Sequence, residues 1–124
     1  MRIVKIIVLS LVVIGMITSM GFASGNVEKG KAMFNDPKLG TNGSTCNTCH
    51  PDGKGLEKAG EKSKKEWITP GGAQKSLEDA VNICITMALG GKVLDKKSQA
   101  MQDIVAYIKS IGGKAPMKKQ APGY

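Results

Sequence analysis

Cys46-Asn47-Thr48-Cys49-His50 is a C-x-x-C-H motif. Two thiols three positions apart, with an imidazole directly after the second, are what covalent attachment of a c-type haem needs: each Cys adds across one vinyl group as a thioether, and the His is then held under the iron. A bare C-x-x-C serves other chemistry too. A redox dithiol sits in a βαβ setting, and half a zinc site wants further Cys or His ligands at close spacing. This chain has one His in all and a single further Cys, at position 84. The motif therefore reads as the attachment point of one haem c, with Cys46 and Cys49 as thioether donors and His50 as an iron ligand.

Upstream, residues 1–23 read as a secretory signal. Arg2 and Lys5 form a basic n-region, Ile6 to Met20 an almost wholly apolar h-region, and Gly21-Phe22-Ala23 a small-x-small cleavage site. The apolar run is borderline in length for spanning a bilayer and no basic stop-transfer cluster follows it, so removal is expected rather than a stable membrane anchor. That leaves a haem domain at 24–113 and a flexible basic tail at 114–124, in the periplasm or an equivalent extracytoplasmic compartment. Haem is attached to C-x-x-C-H proteins after export, so leader and motif agree.

Composition points the same way. A domain of about a hundred residues buries only a modest core, and this chain has one Trp, two Tyr and two Phe, one of the Phe within the leader. A porphyrin would supply the missing apolar bulk. The net charge of +8 falls to +6 once Arg2 and Lys5 are subtracted. It reads as a solvated lysine surface with a docking face for an acidic redox partner, not as a nucleic-acid footprint, because aromatic interleaving is lacking and Arg2 is the only arginine.

Three segments carry helical periodicity. The first starts at Val27 behind an Asn26 cap, shows Val27, Gly30 and Phe34 on one face, and stops at Asn35-Asp36-Pro37. Gly30 implies that another backbone passes close by. The second starts at a Ser76 cap and ends at Gly90-Gly91, with Leu77, Ala80, Val81, Cys84, Ala88 and Leu89 forming one apolar stripe. Cys84 stands mid-stripe and is the odd thiol, with three readings: inert buried Cys, intermolecular disulfide, or thiolate ligand to the iron opposite His50. Met87, Met101, Met33 and Met117 compete with it as the sixth ligand. The third runs from a Ser98 cap through Met101, Ile104, Val105, Ile108 and Ile111 to Gly112-Gly113. Residues 51–75 show little periodicity and read as a segment wrapping a cofactor edge, with Trp67 either donating its indole N–H to a propionate or packing on the ring.

The C-x-x-C-H after a first helix, with Gly30 and Phe34 facing a Tyr107-bearing terminal helix, resembles class I c-type cytochromes: a mainly α fold of three principal helices around one covalent haem. Those proteins usually present a Met from the loop before the last helix, and here residues 90–97 contain none. Val81-Asn82-Ile83-Cys84, Gly91-Lys92-Val93-Leu94, Ser98, Met101 and Val105-Ala106-Tyr107-Ile108 resemble instead the pattern of thiosulfate dehydrogenases and the haem subunit of the sulfur-oxidation cytochromes. There the matching Cys is an axial ligand, which implies Cys84 as iron ligand here. Those enzymes have a second haem or a haem partner subunit, and this chain has one C-x-x-C-H. In size it is similar to the single-haem His/Cys cytochromes of the NaxL and NaxS kind, a resemblance that implies a homo- or heterodimer with a related cytochrome and nitric oxide binding when reduced. The three functional expectations are electron transfer, gas binding at the reduced haem and catalysis on sulfur compounds, with enzymatic activity the least supported.

Overall fold

The computed structural model describes residues 24–113. The leader read at 1–23, the tail at 114–124 and Met117 lie outside the described residues.

Helix α1, Val27–Phe34, begins where Asn26 Oδ1 accepts the Lys29 amide at 2.9 Å, satisfying one of the first-turn donors that a helix leaves orphaned. A 3-10 turn, Pro37–Leu39, leads into the loop before α2, the single turn Cys46–Cys49. A second 3-10 turn spans Pro51–Gly53, and the strands β1, Trp67–Thr69, and β2, Gly72–Gln74, form an antiparallel hairpin. Helix α3, Leu77–Ile83, runs on as a π-helical turn, Cys84–Ala88, and α4, Gln99–Gly112, closes the domain. Among the described residues no helix is long and apolar enough to cross a membrane.

The caps expected at Asn26, Ser76 and Ser98 all form. Ser76 Oγ accepts the Asp79 amide at 3.1 Å, and Ser98 Oγ accepts the Met101 amide at 3.2 Å. Between Gly53 and Trp67 the chain is turns and irregular structure as expected, and the hairpin takes up the end of the stretch expected to be irregular at 51–75. Its three-residue strands are too short for an alternating pattern to be read, but its turn is explicable: Pro70 suits the first turn position, and Gly72, at φ +94°, takes the left-handed place beyond it.

The core lies between α1, α3 and α4. Phe34, Ile85, Leu89, Met101 and Ile104 are its largest fully buried side chains, and each such burial is worth about 1.5–3 kcal/mol. Helices α1 and α4 cross at Gly30. A Cβ there would run into the Asp103 carbonyl and stand 2.9 Å from Tyr107 Cβ, so glycine is what lets the two backbones touch. One turn on, Phe34 meets Tyr107 edge-on, ring centroids 5.1 Å apart at 65°.

Asp103 fastens the crossing, accepting from the Asn26 amide and from Gln99 Nε2, both at 2.7 Å. These donors, the Asn26 amide foremost, hold its carboxyl below the usual aspartate value of 3.8. A depressed folded-state pKa contributes stability that is present above the unfolded value and lost as pH falls through the folded one. Thermal melts of wild type should therefore lose stability on acidification below about pH 4, and Asp103→Asn should be less stable at pH 7 with a flatter acid limb. Parallel acid limbs would remove Asp103 from this role.

The stripe of α3 differs from expectation. Ile85 is fully buried at its centre, and Cys84 is half-buried on its flank. Leu77, Ala80 and Val81 are buried too, Leu77 and Val81 within the core cluster. The buried row is Leu77, Val81 and Ile85, spaced i, i+4 and i+8 as on any α-helix, and the π turn that begins at Cys84 re-aims only the residues after it.

Candidate haem site

Helix α2 is held by a reciprocal cap. Thr45 Oγ1 accepts the Thr48 amide at 3.2 Å while Thr48 Oγ1 accepts the Thr45 amide at 3.0 Å. Helical spacing then brings Cys46 and Cys49, three apart, to one side of the turn. The chain leaves through Asp52, whose φ of +53° is left-handed for a non-glycine residue; Asn47 Oδ1 accepts its amide at 2.8 Å, and the Gly53 amide donates to the His50 carbonyl at 2.8 Å. This tight turn carries the Lys54 carbonyl to 3.1 Å from His50 Nδ1. A carbonyl only accepts, so Nδ1 bears the proton and Nε2 keeps its lone pair for a metal.

Cys84 is near enough to the motif for its charge to be felt at Cys46. Burial, then the neighbouring Cys84 and Cys49 thiols, pushes the Cys46 thiol up to about 11. Burial and Cys49 likewise push the Cys84 thiol up. The three sulfurs thus feel one another's charge, and all three are free thiols. The loop before α2 ties the two segments together. Thr41 and Asn42 amides donate to the Leu89 carbonyl at 2.9 and 3.4 Å, Thr41 Oγ1 to the Gly90 carbonyl at 2.9 Å, and Asn42 Nδ2 to the Ala88 carbonyl at 2.9 Å. These acceptors are the carbonyls that the end of a helix leaves unpaired.

The donor types are those that covalent haem attachment uses. Among the described residues no three of His, Cys, Asp and Glu converge closely enough to hold a metal ion. Two thiols on one turn and an imidazole whose Nε2 is available are the groups that attach a haem c and hold its iron. An open cleft of about 700 Å³ beside Asn82, Ile83, Val93 and Leu94 is a different place: none of Cys46, Cys49, His50 and Cys84 lines it.

The family model for the SoxA/TsdA cytochrome c domain matches residues 29–117. The chain belongs to this family. No curated protein and no solved structure matches it. As a SoxA/TsdA-type cytochrome c it has a mainly α fold, binds haem c covalently and transfers electrons.

Several side chains of this cytochrome stand differently from expectation. The Trp67 indole N–H donates to the Ala59 carbonyl at 2.8 Å, so it ties the hairpin to the preceding turns and is not free for a propionate. Met101 is fully buried in the core, Met33 packs against it, and Met87 is 59% exposed. Sequence reasoning missed the Lys54 carbonyl, which carries no side-chain signal, and the Thr41–Asn42 strap. It also passed over Asn82, a buried amide on an apolar helix face, whose polarity there was a legible anomaly.

Proposed function

We propose that the mature protein is an exported, monohaem cytochrome c with Cys46 and Cys49 as thioether donors and His50 and Cys84 as axial ligands, acting in electron transfer and able to bind a small diatomic gas, NO or CO, when reduced. The support is one arrangement: an imidazole whose Nδ1 is engaged by the Lys54 carbonyl, on the same motif as two cysteines, with a third, half-buried cysteine near enough to feel their charge. When bound, haem c would supply a one-electron iron couple. His50, braced by the Lys54 carbonyl, would hold the iron in both redox states. Cys84 would hold it less firmly after reduction, because the added electron opposes the charge of its thiolate, and a small ligand could then take its place. The ground beside it, Ile83 and Ala88, is half-buried and apolar, which suits an uncharged diatomic.

A redox partner protein and a related cytochrome, as homo- or heterodimer, complete the proposal. The exposed Ile68, Met87 and Val93 and the surplus of lysine give such partners both apolar and charged footing. The family match also supports a second reading, a haem subunit of a thiosulfate-oxidising enzyme; the single C-x-x-C-H then requires a partner carrying another haem.

Carbon monoxide separates electron carriage from gas binding. Added to dithionite-reduced protein, CO should shift the Soret band promptly at near-stoichiometric gas. A ferrous spectrum indifferent to excess CO would leave electron transfer alone, since a pure carrier keeps both ligands in both states.

A further inference from the structure

Asn82 is the polar residue that the helical stripe does not explain. It is 7% exposed, two positions before Cys84, and neither of its side-chain polar atoms is idle. Nδ2 donates to the Leu94 carbonyl and Oδ1 accepts the Leu94 amide, both at 2.9 Å. The carboxamide thus imitates a backbone partner, pairing with both groups of a single residue twelve positions on. Its own carbonyl accepts from Thr86 Oγ1 at 2.9 Å, and the same hydroxyl reaches the Ile83 carbonyl at 3.2 Å.

The clamp closes a ring of chain from 82 to 94 that contains Cys84, the π turn and the Gly90-Gly91 reversal. Within it the Leu89 amide donates to the Cys84 carbonyl at 3.2 Å and the Gly91 amide to the Ile85 carbonyl at 2.8 Å, longer-reaching bonds than an α-helix makes. A π turn is intrinsically less favourable than α-helix and persists where its surroundings hold it. Asn82 and Leu94 hold it at the base, and Thr41 and Asn42 at the far end.

We propose that Asn82 is a positioning residue for Cys84: its two-bond clamp on Leu94 fixes the ring that presents the thiol and sets how readily Cys84 withdraws from the iron. This rests on the His50/Cys84 reading of the ligands. With the clamp intact, withdrawal is limited to rotation of the Cys84 side chain; with it open, the backbone of residues 84–88 moves as well.

The test compares wild type, Asn82→Leu, Asn82→Ala and Asn82→Gln, each carrying covalent haem. Asn82→Leu keeps the branched shape and deletes both bonds, and CO should bind its reduced form about tenfold faster, the worth of one to two net hydrogen bonds. Its ferric spectrum should show a fraction lacking the thiolate signature, and its Leu94 amide should exchange with solvent faster. Asn82→Gln, which keeps a donor and an acceptor on a longer arm, should recover most of the slow rate. A lower melting temperature with wild-type ferric spectrum and CO rate would make Asn82 merely structural and overturn the proposal. So would failure of both Asn82→Leu and Asn82→Ala to load haem, since Asn82 would then be a residue of the fold. If instead Cys84→Ala leaves the ferric spectrum unchanged, the ligand reading itself has failed, whatever the Leu94 exchange rate says of the clamp.

Discussion

Cys84→Ala should keep its covalent haem, lose the thiolate type of ferric spectrum and titrate at a midpoint far above that of wild type. The direction comes from charge. A Cys84 thiolate brings a full negative charge to the iron where a thioether brings none, and this favours the oxidised state in a pocket of low dielectric. A unit charge beside the iron is worth about 4 kcal/mol at an effective dielectric constant of about 20. At about 59 mV per tenfold change in a one-electron equilibrium, that is roughly 170 mV. Wild type should accordingly sit well below zero, and the variant should move upward by an amount of that order in a spectroelectrochemical titration. Since Cys84 is half-buried on the flank of α3 and not at the packed centre, removing its sulfur leaves Ile85 and the core untouched, so the fold should survive the change. A clearly positive wild-type midpoint, or a variant with the wild-type ferric spectrum, returns the sixth ligand to a methionine. Met101 is locked in the core and Met33 packs on it, so Met87, 59% exposed on the π turn, would be the described residue to examine.

How the sequence foretold some of this and not the rest has a physical basis. The helix starts at Asn26, Ser76 and Ser98 were legible because capping is a local reaction of a short polar side chain with a backbone amide two or three residues on. The crossing at Gly30 was legible because an exposed reason for glycine mid-helix is rare and a packing reason is common. The π turn was not, since the spacing of Cys84, Ala88 and Leu89 satisfies an α-helix as well, and what decides between them is tertiary: the hold of Leu94 on Asn82 and of residues 41–42 on the helix end. Reading Cys84 as mid-stripe overlooked the row Leu77, Val81, Ile85 and Leu89, which is the one the core claims. Trp67 was read toward the cofactor for want of a visible partner. Its partner is the backbone of Ala59, which no side-chain pattern announces.

The largest effect on the protein as a whole is expected from Cys46→Ser with Cys49→Ser. Both thioethers are then impossible, so the chain should appear at its apoprotein mass, and any haem it carries should pass into the organic phase in acid-acetone, where wild type retains one haem per chain. Stability should fall with it. Leu39, Cys46, Leu56 and Ala88 are only partly buried although they pack against the core, so apolar surface remains to be covered. Covering about 120 Å² of it is worth about 3 kcal/mol at about 25 cal/mol per Å². In a domain of this size such a loss lowers the melting temperature by about 12–24 °C. Serine is nearly isosteric with cysteine, and the Thr45–Thr48 cap that forms α2 does not involve either thiol, so the turn itself has no other reason to fail. The stability arm is decided by comparing the double variant with a single Cys49→Ser chain, which keeps one thioether and should melt between the two. A double variant that melts with wild type would mean that the helices crossing at Gly30 hold the fold without the cofactor, and one that retains acid-stable haem would end the reading of Cys46 and Cys49 as its attachment.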